Sequence, residues 1–376
     1  MGTEAVTRAF SAEYGPADGY PPGGPETFER MRRDPQVRAC LTTKTLSVLS
    51  EDVEVHPADE SDAARRAARR TEEQLARLPG GIPGLCAGAL EALALGCAIG
   101  ELIRTDDGEL GEVRWHDPRR FRFLTDDFGA IRELEVIDAD LRLPRSRFVL
   151  YSYQSRFGNP YGESDLIAAY RPWAAKDLVQ RMWLSALDRF GAPIPVAKVP
   201  TSWSQAETDA LTALLARLQN ESALVVTADV DIGVTLDAGR VEPARAFHVA
   251  AEWLDTQIAR AILGQELTTQ SGKAGSYALG KVHQEILSVR IRTIRRELAA
   301  MLTDQIARPI TETGFGSGVP VPVLRFPNLT TDELAARQAL MLAMIDGNVV
   351  APDEAWIRRY LGLPARSTEG GGNDTR

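Results

Sequence analysis

The sequence predicts an α+β fold, with short strands in the first half of the chain and long helices in the second. Three observations support this fold class. Strand candidates separated by turn signals such as Asp107-Gly108 follow one another between residues 99 and 152. Apolar residues then recur at helical spacing in three long stretches, and a small β–α–β unit separates the first two. The three stretches are 164–190, 244–262 and 282–306.

The bulk composition is that of an ordinary globular protein. The 376 residues are 44% hydrophobic and 25% charged, enough to bury a sizeable core in more than one domain. The net charge of −9 argues against a broadly basic surface that grips nucleic acid, but it is compatible with a protein that surrounds DNA. Cys40, Cys86 and Cys97 lack CxxC spacing and lie in apolar contexts, which predicts buried free thiols.

Neither a secretory signal nor a membrane span is predicted. The N-terminal residues contain no apolar region of the kind that a signal peptide needs. The longest apolar run, 85–102, is interrupted by Glu91 and Glu101, which indicates a buried helix instead of a membrane span.

The first elements follow from local signals. A Gly-, Pro- and Glu-rich arm, residues 1–26, is expected to be disordered. Helical spacing then starts, breaks near Pro35 and resumes, and Val53–His56 is a strand candidate. Ser61 is typical of an N-cap and opens an Arg-rich helix. An Ala-rich helix over 84–98 comes next, and five strands follow it. The strands are 99–104, 112–116, 120–124, 131–136 and 147–152.

Helices dominate the second half. Ser164 is an N-cap candidate for a helix of roughly 40 Å, in which Pro172 predicts a kink or a split. Ser204 and Glu207 form a capping box within the β–α–β unit. The elements after the last long helix are an extended Pro-rich stretch, 315–327, and a helical pair, 331–345 and 352–361.

The segment 264–282 is rich in Thr, Ser and Gly and has one central cation, Lys273. It has too little apolar mass to bury itself, so we predict a mobile loop held at the end of two helices, shaped to contact another molecule. Gly272 and Lys273 invite a phosphate-loop interpretation. However, Leu267 and Ala274 stand where that motif requires Gly and Ser or Thr, and the interpretation is rejected.

Other catalytic and metal motifs also fail on spacing. Leu166 stands where a nucleophile elbow around Ser164 needs its second Gly. His283 and Glu285 have the His-x-Glu spacing of a zinc deaminase, but no paired cysteines follow them. The four histidines share no metal-ligand spacing. We therefore predict no catalytic residue, no metal and no cofactor.

Several longer stretches occur in a specific order along residues 28–364. They are LEALALGCAIGEL with WHDPRRFRF, NPYGESDLIAAYRPW, DRFGAPIPVAK, ARAILGQELTT with GSYALGKVH, and MLAMIDGNVVAPDEAWIRRYLGLP. In this order and spacing they resemble the portal (head–tail connector) proteins of tailed phages, and most closely the Mu-type portal family. The resemblance covers nearly the whole chain.

The resemblance implies an α+β portal fold with a wing, stem helices, a small β–α–β clip, a tunnel loop and a short helical crown. The implied regions are a wing at 27–160 completed by 283–330, stem helices at 161–192 and 244–263, a clip at 193–243, a tunnel loop at 264–282, a crown at 331–361 and a disordered tail at 362–376.

A function follows from the same resemblance. It implies a non-enzymatic, dodecameric ring at one capsid vertex, through which double-stranded DNA is packaged and ejected. The implied partners are other copies of the chain, the terminase large subunit, a head–tail adaptor and the major capsid protein, with no membrane. The implied location is the virion, and the host cytoplasm during assembly.

Two groups of residues are candidates for contacts in such a ring. Tunnel-loop residues would line the DNA channel, with Lys273 as the DNA contact and two glycines as the source of flexibility. These residues are Thr268, Thr269, Gln270, Ser271, Gly272, Lys273, Gly275 and Ser276. The arginines of the first helix favour a solvated or subunit-facing side over a DNA site, because Glu72 and Glu73 lie beside them. The arginines of the second helix favour pairing with carboxylates of a neighbouring subunit, with DNA contact as the alternative. They are Arg65, Arg66, Arg69 and Arg70, and Arg290, Arg292, Arg295 and Arg296.

Two other functions stay open on the sequence. One is a cytoplasmic α+β enzyme in which 264–282 is an active-site lid and Lys273 or Glu266 carries the chemistry. The other is a structural adaptor that binds proteins but no DNA.

Overall fold

The computed structural model describes residues 24, 26–127, 129–190, 195–199, 202–217, 231–234, 241–265, 276–327, 339 and 342–343. Two compact units, Met1–Phe326 and Pro327–Arg376, divide the chain. All helices and strands described below belong to the first unit. The predicted disordered arm (apart from Gly24 and Glu26) and tail lie outside the described residues, as does nearly all of the predicted terminal helical pair.

The first two helices are separated near Pro35, where the helical spacing of the sequence breaks. Helix α1 is Glu26–Arg32, and α2 is Pro35–Leu49. The Asp34 carboxylate accepts hydrogen bonds from the backbone N–H groups of Gln36 and Val37, and Pro35 fits the first helical position. Strand β1 is Glu54–His56, and α3 is Asp62–Arg77 with the Ser61 hydroxyl as its N-cap.

The predicted helix over 84–98 is wrong in its extent. The chain forms two short helices, α4 (Gly81–Ala89) and α5 (Ala92–Leu95), and strand β2 begins at Cys97. Gly96 ends α5 with a φ of +88°, a left-handed conformation that favours glycine. The apolar run is continuous because both the short helices and the strand are buried, so periodicity does not separate them.

Two three-stranded antiparallel sheets pack face to face. Their strands are β2 (Cys97–Arg104), β3 (Leu110–His116), β4 (Phe121–Thr125), β5 (Ile131–Val136), β6 (Leu141–Pro144) and β7 (Phe148–Ser152). The first sheet has the order β3–β2–β7 and the second β4–β5–β6. Strand β6 was not predicted from the sequence. Phe121, Phe148 and Leu134 fill the space between the sheets.

Two long helices follow. Helix α6, Asp165–Phe190, is continuous through Pro172, so the alternative in which Pro172 splits the helix is wrong. The kink stays a prediction. Helix α8, Val241–Leu263, packs against it. Between them, β8 (Pro195–Lys198) pairs antiparallel with β9 (Asp231–Val234), and α7 is Gln205–Arg217. The capping box is confirmed: Glu207 accepts from the Ser204 backbone N–H at 2.7 Å.

The last described elements return to the first sheet. Helix α9 is Ser276–Leu302, a π-helical turn covers Thr303–Ala307, α10 is Arg308–Phe315, and β10 (Val323–Arg325) pairs with β1. The side-chain amide of Gln305 in the π turn accepts from Leu150 N and donates to Leu150 O, both at 2.8 Å. This amide therefore takes the place of a further strand at the edge of β7.

The largest core cluster joins α3, α4 and the first sheet to α9 and α10. Residues 286–326 are therefore packed into the same body as residues 48–153. Within the described residues, no single helix is long and apolar enough to cross a membrane; the bent pair Asp62–Arg77 and Gly81–Leu95 passes that test by length and composition only.

The three thiols are free and buried, as predicted. Burial raises the pKa of Cys40, Cys86 and Cys97 to about 12 each, in Cys40 against a hydrogen bond from Gln36 that lowers it. A thiol with a raised pKa keeps its proton in the folded state at pH values where the unfolded chain has lost it.

We therefore expect the stability of the protein to fall as the pH rises from about 9 towards 12, because the unfolded state then binds fewer protons than the folded state. Each thiol contributes up to about 1.4 kcal/mol per pH unit to this loss. Urea titrations from pH 8 to 10.5 measure it. Alkylation by iodoacetamide at pH 8 should require unfolding, and rapid modification of the folded protein would contradict the burial.

Candidate functional site

Helices α6 and α8 run antiparallel and form a helix pair that leaves the sheet body side by side. Successive contacts along the pair show the direction. Asp165 at the start of α6 lies near Ile262 at the end of α8, and further along Lys176 pairs with Asp255. Trp183 then stacks on His248 with ring planes 2° apart. The end of α8 therefore meets the start of α6 at the surface of the sheet body.

A buried polar cluster holds this meeting point, which we call the junction: Lys44, Tyr153, Asp165 and the carbonyl of Ile262. The Lys44 Nζ donates to Asp165 Oδ2 at 2.6 Å, to Tyr153 Oη at 2.8 Å and to the Ile262 oxygen at 3.1 Å. The Lys44 side chain is 0% exposed. One ammonium thus uses all three of its donors to join α2, strand β7 with its following loop, and both long helices.

Each charge of the junction lies at a helix end whose dipole stabilises it. The ammonium lies at the C-terminal end of α8, where unpaired carbonyls make the potential negative. The Asp165 carboxylate lies in the first turn of α6, at the positive end of that helix, and Ser164 caps the same end through Leu166 N. The junction therefore stabilises two helix ends in addition to its ion pair.

Burial acts on both charges of the pair. It lowers the pKa of Lys44, against the opposing effect of the Asp165 carboxylate. It also raises the pKa of Asp165, although the Lys44 ammonium and the Tyr153 hydroxyl stabilise the charged carboxylate. The cost of desolvation is therefore offset only while all partners stay in place.

A second buried cation ties the helix pair to the N-terminal helices. Lys176 on α6 pairs with Asp255 on α8 at 2.6 Å and with Asp34, the N-cap of α2, at 2.9 Å. Burial lowers the pKa of Lys176, but the two carboxylates outweigh it and the pKa lies above its ordinary value. Two lysines thus fix the base of the helix pair at successive levels.

Beyond these ion pairs, the helix pair exposes large apolar side chains to solvent. Leu184 is 65% exposed and Trp253 is 60% exposed. The other exposed apolar residues of the pair are Leu178, Met182, Leu187 and Val249. An apolar surface of this extent on a long helix pair is typical of a protein–protein contact.

The root of the predicted tunnel loop begins directly after the junction. Gly264 follows α8 with a φ of +76°, and a Cβ there would lie 2.7 Å from the Arg290 guanidinium. Residues 266–275, with Lys273 and all but one of the predicted channel residues, lie outside the described residues. The exception is Ser276, where α9 begins, so the predicted extent of the loop, 264–282, is wrong in its last seven residues.

The arginines of α3 lie on its surface. Arg65 pairs with two carboxylates near its own helix start, and half-buried Arg70 pairs with Glu109 at 2.9 Å, all within this chain. Arg66 and Arg69 are exposed. The α3 group therefore retains two exposed cations that can face another molecule.

On α9 the prediction for Arg295 is wrong. Its guanidinium is buried, donates to the carbonyls of Ser47 and Val48, and lies over the ring of Phe326. It caps the end of α2 and is not available to a neighbouring subunit. The other three members of the group are exposed or half-buried: Arg290, Arg292 and Arg296.

Sequence reasoning missed the junction. Ser164 was identified as the N-cap of its helix, which it is, but the partner of the neighbouring Asp165 across the fold was not. The available signal was Lys44 among the apolar residues of α2, since a cation on a buried helix face requires a partner. Within the described ranges, no group of three or more His, Cys, Asp or Glu side chains could hold a metal ion.

Comparisons with known proteins match nearly the whole chain. The family model described as the portal protein of Mu bacteriophage matches residues 25–363. The portal protein of Escherichia phage Mu is 22% identical over 358 residues, covering 90% of this chain and 66% of that protein. The Mu-like prophage FluMu protein gp29 of Haemophilus influenzae is 23% identical over 257 residues, covering 67% of this chain and 49% of that protein. The chain thus spans about half to two thirds of the length of these curated relatives.

Solved structures show the same fold at low sequence identity. A chain from the neck of an empty gene transfer agent particle computed with C6 symmetry superposes with a TM-score of 0.62 at 14% identity, covering 96% of this chain and 99% of that one. A chain from the neck of the native particle computed with C12 symmetry gives 0.61 with the same identity and coverage. The fold predicted from the sequence, an α+β portal fold, is confirmed. With the family model matched over residues 25–363, this chain belongs to the family of portal proteins of Mu bacteriophage.

Proposed function

We propose that the protein is the portal of a phage or phage-like particle, a ring of identical subunits at one capsid vertex through which double-stranded DNA is packaged and ejected. The observation that carries the proposal is the helix pair: two antiparallel helices, fixed at their base by two buried lysines, with large apolar side chains left exposed beyond it. Such helices can pack side by side around a channel.

A closed ring requires a heterologous interface, in which two different surfaces of each subunit meet. The exposed apolar residues of the helix pair supply one such surface. The C12 symmetry of the gene transfer agent neck, whose chain shares this fold, supports a dodecameric ring. In this ring α6 and α8 are the stem helices, and the body formed by residues 26–160 and 286–326 is the wing.

The charge of the protein fits a channel that lets DNA slide. Every phosphate neutralised by Lys or Arg adds a salt-dependent binding term with a slope of about −0.9. A subunit with a net charge of −9 avoids a deep electrostatic trap for the duplex. We infer that the tunnel loop after Gly264 constricts the channel and that Lys273 makes the weak backbone contacts that centre the DNA.

Further roles follow from the proposal. The β8–α7–β9 unit is the clip and docks the terminase large subunit and a head–tail adaptor, and the wing meets the major capsid protein. The exposed arginines of α3 and α9 pair with carboxylates of the neighbouring subunit. The protein is located in the virion, and in the host cytoplasm during assembly.

The enzyme alternative is not favoured, since the chain belongs to a family of portal proteins. In the adaptor alternative the protein also assembles into a ring, but no DNA passes through it.

Electron microscopy and native mass spectrometry of the purified protein test the proposal. We expect closed rings of a single symmetry with a lumen wide enough for duplex DNA. Leu184→Ser in the helix pair should weaken ring assembly, whereas Leu46→Ser, at an equally exposed position on α2, should leave it unchanged. A monomer under all conditions would contradict the proposal, and a lumen too narrow for duplex DNA would favour the adaptor.

A further inference from the structure

The loop between β7 and α6 presents one aromatic side chain fully to solvent. Phe157 is 94% exposed, whereas the other phenylalanines of the wing mostly lie in the core. Its φ of +53° is in the left-handed region, which is unfavourable for a residue with a Cβ, and Gly158 follows at +74°. Strained backbone of this kind persists only where the surrounding structure imposes it.

Hydrogen bonds within the loop impose this backbone conformation on Phe157. The Ser155 hydroxyl donates to the Asn159 carbonyl at 2.8 Å, and Asn159 N donates to the Arg156 carbonyl at 3.0 Å. The Asn159 side chain accepts from Tyr161 N at 3.0 Å. These bonds close a tight loop whose tip is Phe157. The hydrogen-bonded backbone of the loop therefore fixes the phenyl group in its outward position.

The wing also contains a cavity that a phenyl ring fits. Its volume is about 260 Å³, and Leu95, Ala98, Trp115 and Pro118 form its apolar wall. The cavity opens to solvent, and its volume is sufficient for a phenyl group, since an enclosed apolar cavity of about 150 Å³ binds benzene in another protein. The indole of Trp115 offers an aromatic partner, and rings of this kind pair favourably edge to face.

The charges beside the two features are complementary. Arg156 precedes the exposed ring, is 70% exposed and pairs only at 3.4 Å with Glu163. Glu29 and Glu91 line the cavity and are 41% and 50% exposed; Arg32 lies 2.9 Å from Glu91 but 3.7 Å from Glu29. Glu29 therefore retains capacity for a second cation.

We propose that Phe157 of one subunit inserts into the wing cavity of the neighbouring subunit, with Arg156 beside Glu29. This inference rests on the proposed ring and names one of its contacts. A protruding group of one subunit that fills a cavity of the next forms a heterologous contact, which repeats from subunit to subunit until the rotation closes. A buried aromatic anchor at such a contact is the usual centre of binding energy.

Photocrosslinking tests the contact directly. The variant Phe157→p-benzoylphenylalanine keeps an aromatic side chain at the tip of the loop. It is assembled from equal parts of isotope-labelled and unlabelled chains and irradiated. We expect links between differently labelled chains, to peptides containing residues 88–98 or 115–119. The control, Leu46→p-benzoylphenylalanine at an exposed site on α2, should give no such links.

Assembly of Phe157→Ala provides the second measurement. Because the phenyl group of Phe157 is exposed in the single chain, the variant should fold normally. The protein concentration at which half of the chains are assembled into rings should rise by about tenfold or more. Rings that form equally well in the variant, or links that fall elsewhere, overturn the inference and leave the proposed function standing. A wild-type chain that forms no rings overturns the proposed function together with the inference.

Discussion

The variant Lys44→Met is expected to lower the free energy of unfolding by about 3–5 kcal/mol. Methionine fills a similar volume, so the loss comes from electrostatics and hydrogen bonding. It leaves the buried Asp165 carboxylate without its ammonium, and it removes donors from Tyr153 and from the Ile262 carbonyl. The C-terminal end of α8 also loses a cation that its dipole favours.

Urea titrations followed by circular dichroism measure this effect, and two further variants separate its causes. Asp165→Asn alone should also destabilise the protein, since it leaves the Lys44 ammonium buried without a counter-charge. The double variant Lys44→Met with Asp165→Asn removes both charges and should be more stable than Lys44→Met alone. Additive losses in the double variant would contradict the description of the junction as a coupled pair.

The same variant should loosen the base of the helix pair. Hydrogen exchange of the backbone amides at the end of α8 should accelerate in Lys44→Met, since the Ile262 carbonyl then loses the ammonium that ties this helix end to α2. Exchange in the distant sheet β4–β5–β6 provides the internal reference. Equal acceleration in both regions would indicate global destabilisation instead of a local effect.

Gly162→Ala is expected to cost about 2–5 kcal/mol, combining left-handed strain with overpacking. Gly162 has a φ of +63°, and a Cβ there would lie 2.2 Å from the Gly96 carbonyl oxygen and 2.4 Å from that of Tyr153. Both obstacles are backbone atoms, so they cannot rotate away as a side chain would. The strand β2 and the loop before α6 would have to separate.

The chain offers a matched control in the same loop. Gly158 has a similar φ of +74°, but a Cβ there meets nothing within 4 Å. Gly158→Ala therefore carries the conformational strain alone, about 1–2 kcal/mol. The difference between the two variants in urea titrations isolates the close approach of β2 and the loop. Equal losses would mean that the close approach contributes nothing.

Local signals in the sequence predicted the starts of elements well. Ser61, Ser164 and Ser204 all cap the helices that follow them, because an N-cap depends only on residues two or three positions away. Buried thiols and the α+β class also follow from composition and periodicity.

The extents of helices and strands were harder to predict where a whole stretch of residues is buried. Residues 84–98 carry no polar side chain except that of Glu91, so the change from α5 to β2 at Gly96 depends on the packing of Gly96 against Tyr161 and not on a periodic pattern. Strand β6 was missed for a related reason. It has only four residues and forms the edge of a sheet, so its pattern is too short to stand out, and its pairing with β5 defines the strand.

The sequence by itself determined the class of fold, the capped helix starts, the free thiols and the family resemblance, since each depends on residue types and local spacing. Only the tertiary structure decided which charges meet. Lys44 contacts groups 109, 121 and 218 residues away, and Arg295 turned inward to the end of α2 instead of outward to another subunit. The exposure of Phe157 and the cavity beside Trp115 are likewise properties of packing. Contacts between distant residues are set by how the core closes, and no local pattern records them.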